Sequence, residues 1–211
     1  MNIKTRNLSF KSIITYPNID IPENRSTFIM GESGSGKSTL LKLLNATHPC
    51  ETGTILIDDT DINTLEPIAL RKKICLIAQS AFLFPGTIST NFETFYAYRN
   101  QDVPNRDDIR DFLTLCHLDM EPEANVEFLS GGEKQRVYTA IFVSFASEVL
   151  LLDEPTSALD QKTGDAMINN ILDHQRSRKK TTVIVSHSAS LADRFGDQII
   201  HLDTPEKQEN S

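Results

Sequence analysis

Cysteine, positive charge and long apolar runs are all scarce in this 211-residue sequence. Its three cysteines, Cys50, Cys75 and Cys116, form no CxxC pair and no Cys/His cluster. That excludes a disulfide scaffold and a zinc site, and leaves reduced, buried thiols in a cytosolic setting as the expectation. Lys plus Arg number 21 against 29 Asp plus Glu, a net charge of −8. A nucleic-acid binder needs a concentrated basic face, so no nucleic-acid partner is expected. The longest run without charge, Ile74 to Phe92, contains Gln79, Ser80, Pro85, Gly86 and Asn91. A membrane span needs about 20 mostly apolar residues, so this run is not one. Met1 to Ser9 is polar and carries Lys4 and Arg6, unlike a signal peptide. If the protein works at a membrane, another chain must do the spanning.

What is present is ordinary globular material: 39% hydrophobic and 24% charged residues. The length suits one domain with an inserted lobe. Thr27–Met30, Ile74–Ala78, Val149–Leu152 and Thr182–Val185 read as short buried strands. Ser38–Asn45, with leucines at 40, 41, 43 and 44, suits a buried helix. Gly53–Ile62 alternates as a hairpin around Asp58-Asp59. Residues 87–143 lack strand signals and read as a helical lobe. Strands alternating with helices imply a mostly parallel sheet covered on both faces. The polar tail after Asp203 is expected to fray.

Gly31-Glu32-Ser33-Gly34-Ser35-Gly36-Lys37-Ser38, followed by Thr39, fits a phosphate-binding loop between a strand and a helix. Glycines let successive N–H groups point at phosphate oxygens, and the helix start adds its dipole. Lys37 would neutralise the β- and γ-phosphates, and the Ser38 hydroxyl would bind Mg²⁺. This motif alone leaves GTPases and small-molecule kinases open. Val149–Leu152 then delivers Asp153 and Glu154 to the edge of the sheet where ligands bind. Asp153 suits the Mg²⁺ shell, and Glu154 suits the general base that activates water. A kinase, whose acceptor is not water, would not need the second acid.

Leu129-Ser130-Gly131-Gly132-Glu133-Lys134-Gln135-Arg136 opens a helix with small residues, a second possible anion site. One nucleotide does not need two such sites in a monomer. Two chains paired head to tail would use both.

The phosphate loop, LSGGEKQR and LLLDEPTSALD, in this order, resemble the ATP-binding subunit of an ABC transporter over nearly the whole chain. The resemblance implies an α/β fold with a RecA-like P-loop core, an antiparallel β edge and an inserted helical subdomain. It implies a single ABC ATPase domain, with its core at about 1–86 and 145–205 and the helical subdomain at about 87–144. It implies hydrolysis of ATP with Mg²⁺, pairing of two copies around two nucleotides, and an integral membrane permease subunit as partner. The chain would then sit in the cytoplasm, peripheral to the inner face of the cell membrane. Gln79 matches the family's glutamine that senses Mg²⁺, water and the membrane partner. Ser157–Asp160 matches the loop that touches the opposite subunit, so Asp160 joins Ser130, Gly131 and Gly132 in the nucleotide-binding set. His187 matches the histidine that contacts the γ-phosphate. Glu154, His187 and Gln79 are thus the catalytic set, and Ser38, Gln79 and Asp153 the metal set. Phe82–Phe84 before Pro85-Gly86 suits a groove for a helix of the membrane subunit. LFPGTISTN is more similar to exporter-type cassettes, and among stand-alone subunits to those of bacterial iron exporters.

The sequence departs from the family in three places. The aromatic residue that stacks on adenine has only Phe10 and Tyr16 as candidates. Ala140-Ile141-Phe142 replaces a common Ala-Arg-Ala, so apolar contacts must replace those of the arginine. Ser188 follows His187 where aspartate is common. Rival readings are a soluble ABC ATPase of repair or regulatory type and a nucleotide-binding module without hydrolysis.

Overall fold

The computed structural model describes residues 1–203. The tail expected to fray, and the last two residues of the expected core, lie outside the described residues. The chain opens with antiparallel strands β1 (Ile3–Phe10), β2 (Ile14–Thr15) and β3 (Ile19–Ile21). Strand β4 (Ser26–Gly31) leads into helix α1 (Lys37–Leu44). Next come β5 (Thr52–Ile57), β6 (Thr60–Asp61), α2 (Pro67–Lys73) and β7 (Ile74–Ile77). Three helices follow: α3 (Ile88–Arg99), α4 (Arg106–Leu115) and α5 (Gly131–Ser144). The chain then alternates β8 (Val149–Asp153), α6 (Gln161–Ser177), β9 (Thr181–Val185), α7 (Ala189–Phe195) and β10 (Gln198–Leu202).

Two five-stranded sheets result. One is parallel throughout, in the order β10-β4-β9-β8-β7. The other is antiparallel, with β1 between β5 on one side and β2 and β3 on the other. The antiparallel edge is therefore a complete sheet of its own. Its strands β1, β2 and β3, together with β10, carry no signal that the sequence reading picked up. The expected hairpin is present, with Ile57 opposite Thr60 and both Asp58 and Asp59 at positive φ. That is the geometry a two-residue hairpin loop demands.

Alternation along the parallel strands explains why they read as unbroken apolar runs. Phe28, Met30, Leu150, Leu152 and Ile184 face the cluster built with α3 to α7. Ile29, Val149, Leu151, Val183 and Val185 face the cluster built with α1 and the antiparallel sheet. All four α1 leucines are buried in the second cluster.

The segment holding α3, α4 and α5 closes on itself at its root. Ile88 N–H donates to the Ala124 carbonyl at 3.0 Å, and Val126 N–H to that of Gly86 at 2.9 Å. Ile141 is fully buried, and Phe142 packs against Phe95, Tyr138 and Phe145. Apolar and aromatic contacts thus occupy the place of the missing arginine. Ser188 caps α7 by accepting from Leu191 N–H at 3.3 Å, which gives that position a local role.

Candidate nucleotide site

Strands β4, β8 and β9 all run parallel, so their ends deliver their loops to one edge of the sheet. Between β4 and α1 the loop turns back through Gly34 and Gly36, both at left-handed φ. Gly36 also has no room for a side chain. A Cβ there would lie 2.8 Å from the Tyr16 hydroxyl and 2.9 Å from Ile14. Tyr16 donates its hydroxyl to the Gly36 carbonyl at 3.0 Å. Only 3% exposed, it braces the phosphate loop and is not available to stack on a base. Burial also pushes its hydroxyl pKa upward. Phe10 stacks on His48 at 5.3 Å, with Lys11 over its ring.

Lys37 is buried and folds back to donate to the carbonyls of Gly31 at 2.9 Å and Glu32 at 2.8 Å. Those carbonyls hold its ammonium inside the curl of the loop. Ser38 Oγ donates to Asp153 Oδ1 at 2.9 Å. Ser35 is buried, and its hydroxyl finds no partner among the described residues. Burial raises the pKa of Asp153, and the Ser38 hydrogen bond only partly opposes this. A buried carboxylate beside a hydroxyl is an oxygen donor set that suits a hard divalent cation.

Glu154 follows β8 at φ 48, a strained backbone held by its N–H to the Val185 carbonyl at 3.1 Å. Its Oε2 accepts from Gln79 Nε2 at 3.0 Å, and its Oε1 lies 2.9 Å from His187 Nε2. Gln79 comes from the turn after β7, and His187 from the turn after β9. The strands on either side of β8 thus supply its two partners.

A cleft of about 300 Å³ gathers these groups. It is lined by Ser33, Gly34, Gly36, Lys37, Ser38, Thr39, Gln79, Glu154 and His187, together with Ile14. The sequence reading missed Ile14, because one isoleucine in a two-residue strand carries no motif. Gly31 and Glu32 reach the site through their carbonyls, and Asp153 through Ser38. Ser130, Gly131, Gly132 and Asp160 do not line this cleft. Ser130 caps α5, while Asp160 caps α6 by accepting from Thr163 N–H at 3.0 Å, a bond that lowers its pKa. These two motifs touch within one chain. A Cβ on Gly132 would lie 3.1 Å from both the Ala158 carbonyl and the Leu159 side chain.

Fold and cleft define a P-loop nucleoside triphosphatase. The family model described as ABC transporter matches residues 15–157. The chain is 36% identical over 181 residues to ABC transporter I family member 17 of Arabidopsis thaliana, spanning 85% of this chain and 68% of that protein. It is 34% identical over 206 residues to the ATP-dependent lipid A-core flippase of Vibrio parahaemolyticus, spanning 92% of this chain but only 34% of the flippase. The ATP-binding cassette MJ0796, solved as a dimer bound to ADP and Pi, matches at TM-score 0.81 and 30% identity. That match covers 95% of this chain and 94% of the cassette. A bacterial Atm1-family exporter with ATP bound matches at TM-score 0.82 and 27% identity, over 96% of this chain and 37% of the exporter. This chain belongs to the ABC transporter family. It is an ATP-binding ATPase subunit of the kind that powers transport. Among the described residues no helix is long and apolar enough to cross a membrane.

Proposed function

We propose that two copies of this chain pair head to tail around two ATP–Mg²⁺ and drive a separate integral membrane permease subunit. In this reading the chain is one ABC ATPase domain, with its core at about 1–86 and 145–205 and a helical subdomain at about 87–144. It works from the cytoplasm, peripheral to the inner face of the membrane, and binds no nucleic acid. The observation that carries it is the Glu154 carboxylate, held between Gln79 and His187 at the mouth of the phosphate-loop cleft.

Within each copy, Lys37 and the amides from Ser33 to Thr39 hold the phosphates. Ser38, Asp153 and Gln79 supply oxygens for Mg²⁺, which when bound would neutralise phosphate charge. Glu154 accepts the proton of the attacking water, and His187 and Gln79 fix the direction of its carboxylate. Ser130, Gly131, Gly132 and Asp160 face the nucleotide of the opposite copy. Tight packing of Gly132 on Ala158 supports movement of the two motifs as one unit.

The membrane partner meets a surface beside Gln79. Phe82 is 59% exposed there, above a cavity of about 230 Å³ lined by Leu83, Pro85 and Val126. Phe84 packs on Phe82, Phe95 and Tyr98 and belongs to the support of that surface. The test is to purify the tagged chain from detergent-solubilised membranes. Co-purification of one multi-span protein, with ATPase activity that changes when it is removed, is expected. Recovery of a lone, fully active ATPase would favour a non-transport role.

A further inference from the structure

The start of α5 holds an anion of its own. Glu133 Oε2 accepts from the Ser130 hydroxyl at 2.7 Å and from the Ser130 amide at 2.8 Å. Glu133 N–H donates back to Ser130 Oγ at 3.3 Å, which completes a capping box. The serine hydroxyl that the head-to-tail reading turns towards the opposite copy's nucleotide is therefore already engaged.

Two further observations bear on this carboxylate. Its charge is not locked in an ion pair: among the described residues Glu133 makes no salt bridge, and Arg136, one turn on, acts on it only through space while donating to the carbonyls of Gly132 and His117. The helix end is open over Gly131 and covered over Gly132. A Cβ on Gly131 would meet nothing within 4 Å, whereas Gly132 is covered by Ala158 and Leu159. An incoming phosphate must arrive over Gly131, where Ser130 and its bound carboxylate stand.

We propose that Glu133 is a tethered competitor of the terminal phosphate: it occupies the Ser130 donors in the unpaired chain and opposes docking of a second copy's ATP by like charge. Glu133 thereby sets the affinity of nucleotide-driven pairing, while nucleotide binding to the chain's own phosphate loop does not depend on it. The opposition acts on the γ-phosphate, so a nucleotide without that group does not feel it. The inference rests on the head-to-tail reading above.

Glu133→Gln separates charge from capping, because glutamine completes the same capping box without charge. Sedimentation equilibrium of the full chain would give pairing constants with Mg²⁺ and a non-hydrolysable β,γ-imido analogue of ATP, and with ADP. The head-to-tail pair holds two such like-charge contacts, and relief of each near a surface, at about tenfold, should together tighten analogue-driven pairing about a hundredfold. With ADP no gain is expected, and the melting temperature should fall slightly, because the two Ser130 hydrogen bonds lose their charge assistance at the helix N-terminus. Equal or weaker pairing with the analogue overturns the proposal, as does the same gain with ADP. If both proteins bind the analogue and neither pairs, the head-to-tail reading itself fails and takes the proposal with it.

Discussion

Glu154 Oε1 and His187 Nε2 lie 2.9 Å apart, although 33 residues separate them in the chain. Parallel pairing of β8 with β9, with Asp153 opposite Val185, sets that distance. With Gln79 on its other oxygen, the Glu154 carboxylate is oriented before any substrate arrives. Pre-orientation of this kind removes a reorganisation cost from the proton-transfer step.

Glu154→Gln keeps the shape of the side chain and removes the charge that accepts a proton. General-base catalysis is worth about 10² to 10⁴ in rate, so ATP turnover should fall by at least about 10². Lys37, Ser38 and Asp153 remain, so binding should persist. The variant is expected to accumulate as an ATP-bound dimer. Size-exclusion chromatography with and without ATP checks this against the 23.7 kDa monomer. Normal hydrolysis would reassign the base.

Lys37→Ala removes a buried ammonium whose present partners are two loop carbonyls. Those carbonyls repel phosphate, and among the described residues no other lysine and no arginine lines the cleft. ATP affinity, measured by calorimetry, should fall at least about tenfold. An affinity within twofold of the unaltered protein would sink the phosphate-loop assignment.

Phe82→Asp and Phe84→Asp should behave differently. Phe82 is mostly exposed, so its change should leave the melting temperature nearly unaltered while weakening recovery of the membrane partner. Phe84 packs on three rings, those of Phe82, Phe95 and Tyr98, and buried Asn91 clamps its backbone through bonds of 2.8 and 3.0 Å. A charge in that packing should cost about 2 kcal/mol or more. Equal melting temperatures for the two variants would contradict the separation of roles.

Acid should weaken the fold partly through His174. Burial first, and the nearby Arg178 second, lower its pKa from 6.5 to about 4. Above pH 6.5 neither the folded nor the unfolded state is protonated there, so the group is neutral to stability. Between 6.5 and 4 the unfolded chain takes up a proton that the folded chain refuses, so stability falls with pH. Below about 4 the loss is complete. His174→Gln should flatten the fall in denaturation midpoint over that window. An unchanged slope would show that His174 is not a source of it.

The phosphate loop, the acid pair after Val149–Leu152 and the LSGGEKQR run were legible because each is local. Their chemistry needs fixed residue types at fixed spacing, and the strand and helix around them follow from short-range apolar patterns. The helical stretch after Thr87 was legible for the same reason. The S-x-x-E of Ser130 and Glu133 was also present to be read as a capping box, yet its consequence for Ser130 needs the hydrogen-bond directions. Strands β1 to β3 were not legible, since Ile3–Phe10 mixes charged and apolar residues and is stabilised by pairing with β5, about 50 residues on.

The sequence by itself determined the chemistry of this protein: a loop that binds phosphates, a carboxylate pair for metal and water, and a second glycine-rich helix start. Those properties reside in side chains and backbone freedom that neighbours along the chain already specify. The tertiary structure alone decided which groups act together. It placed Gln79 and His187 on either side of Glu154, and turned Tyr16 inward to brace Gly36. It also left Phe82 exposed while packing Phe84 beneath it, and set Gly132 against Ala158. Each of these depends on strand order and close packing between segments far apart in the chain, and a one-residue change of register turns a side chain to the opposite face of its sheet.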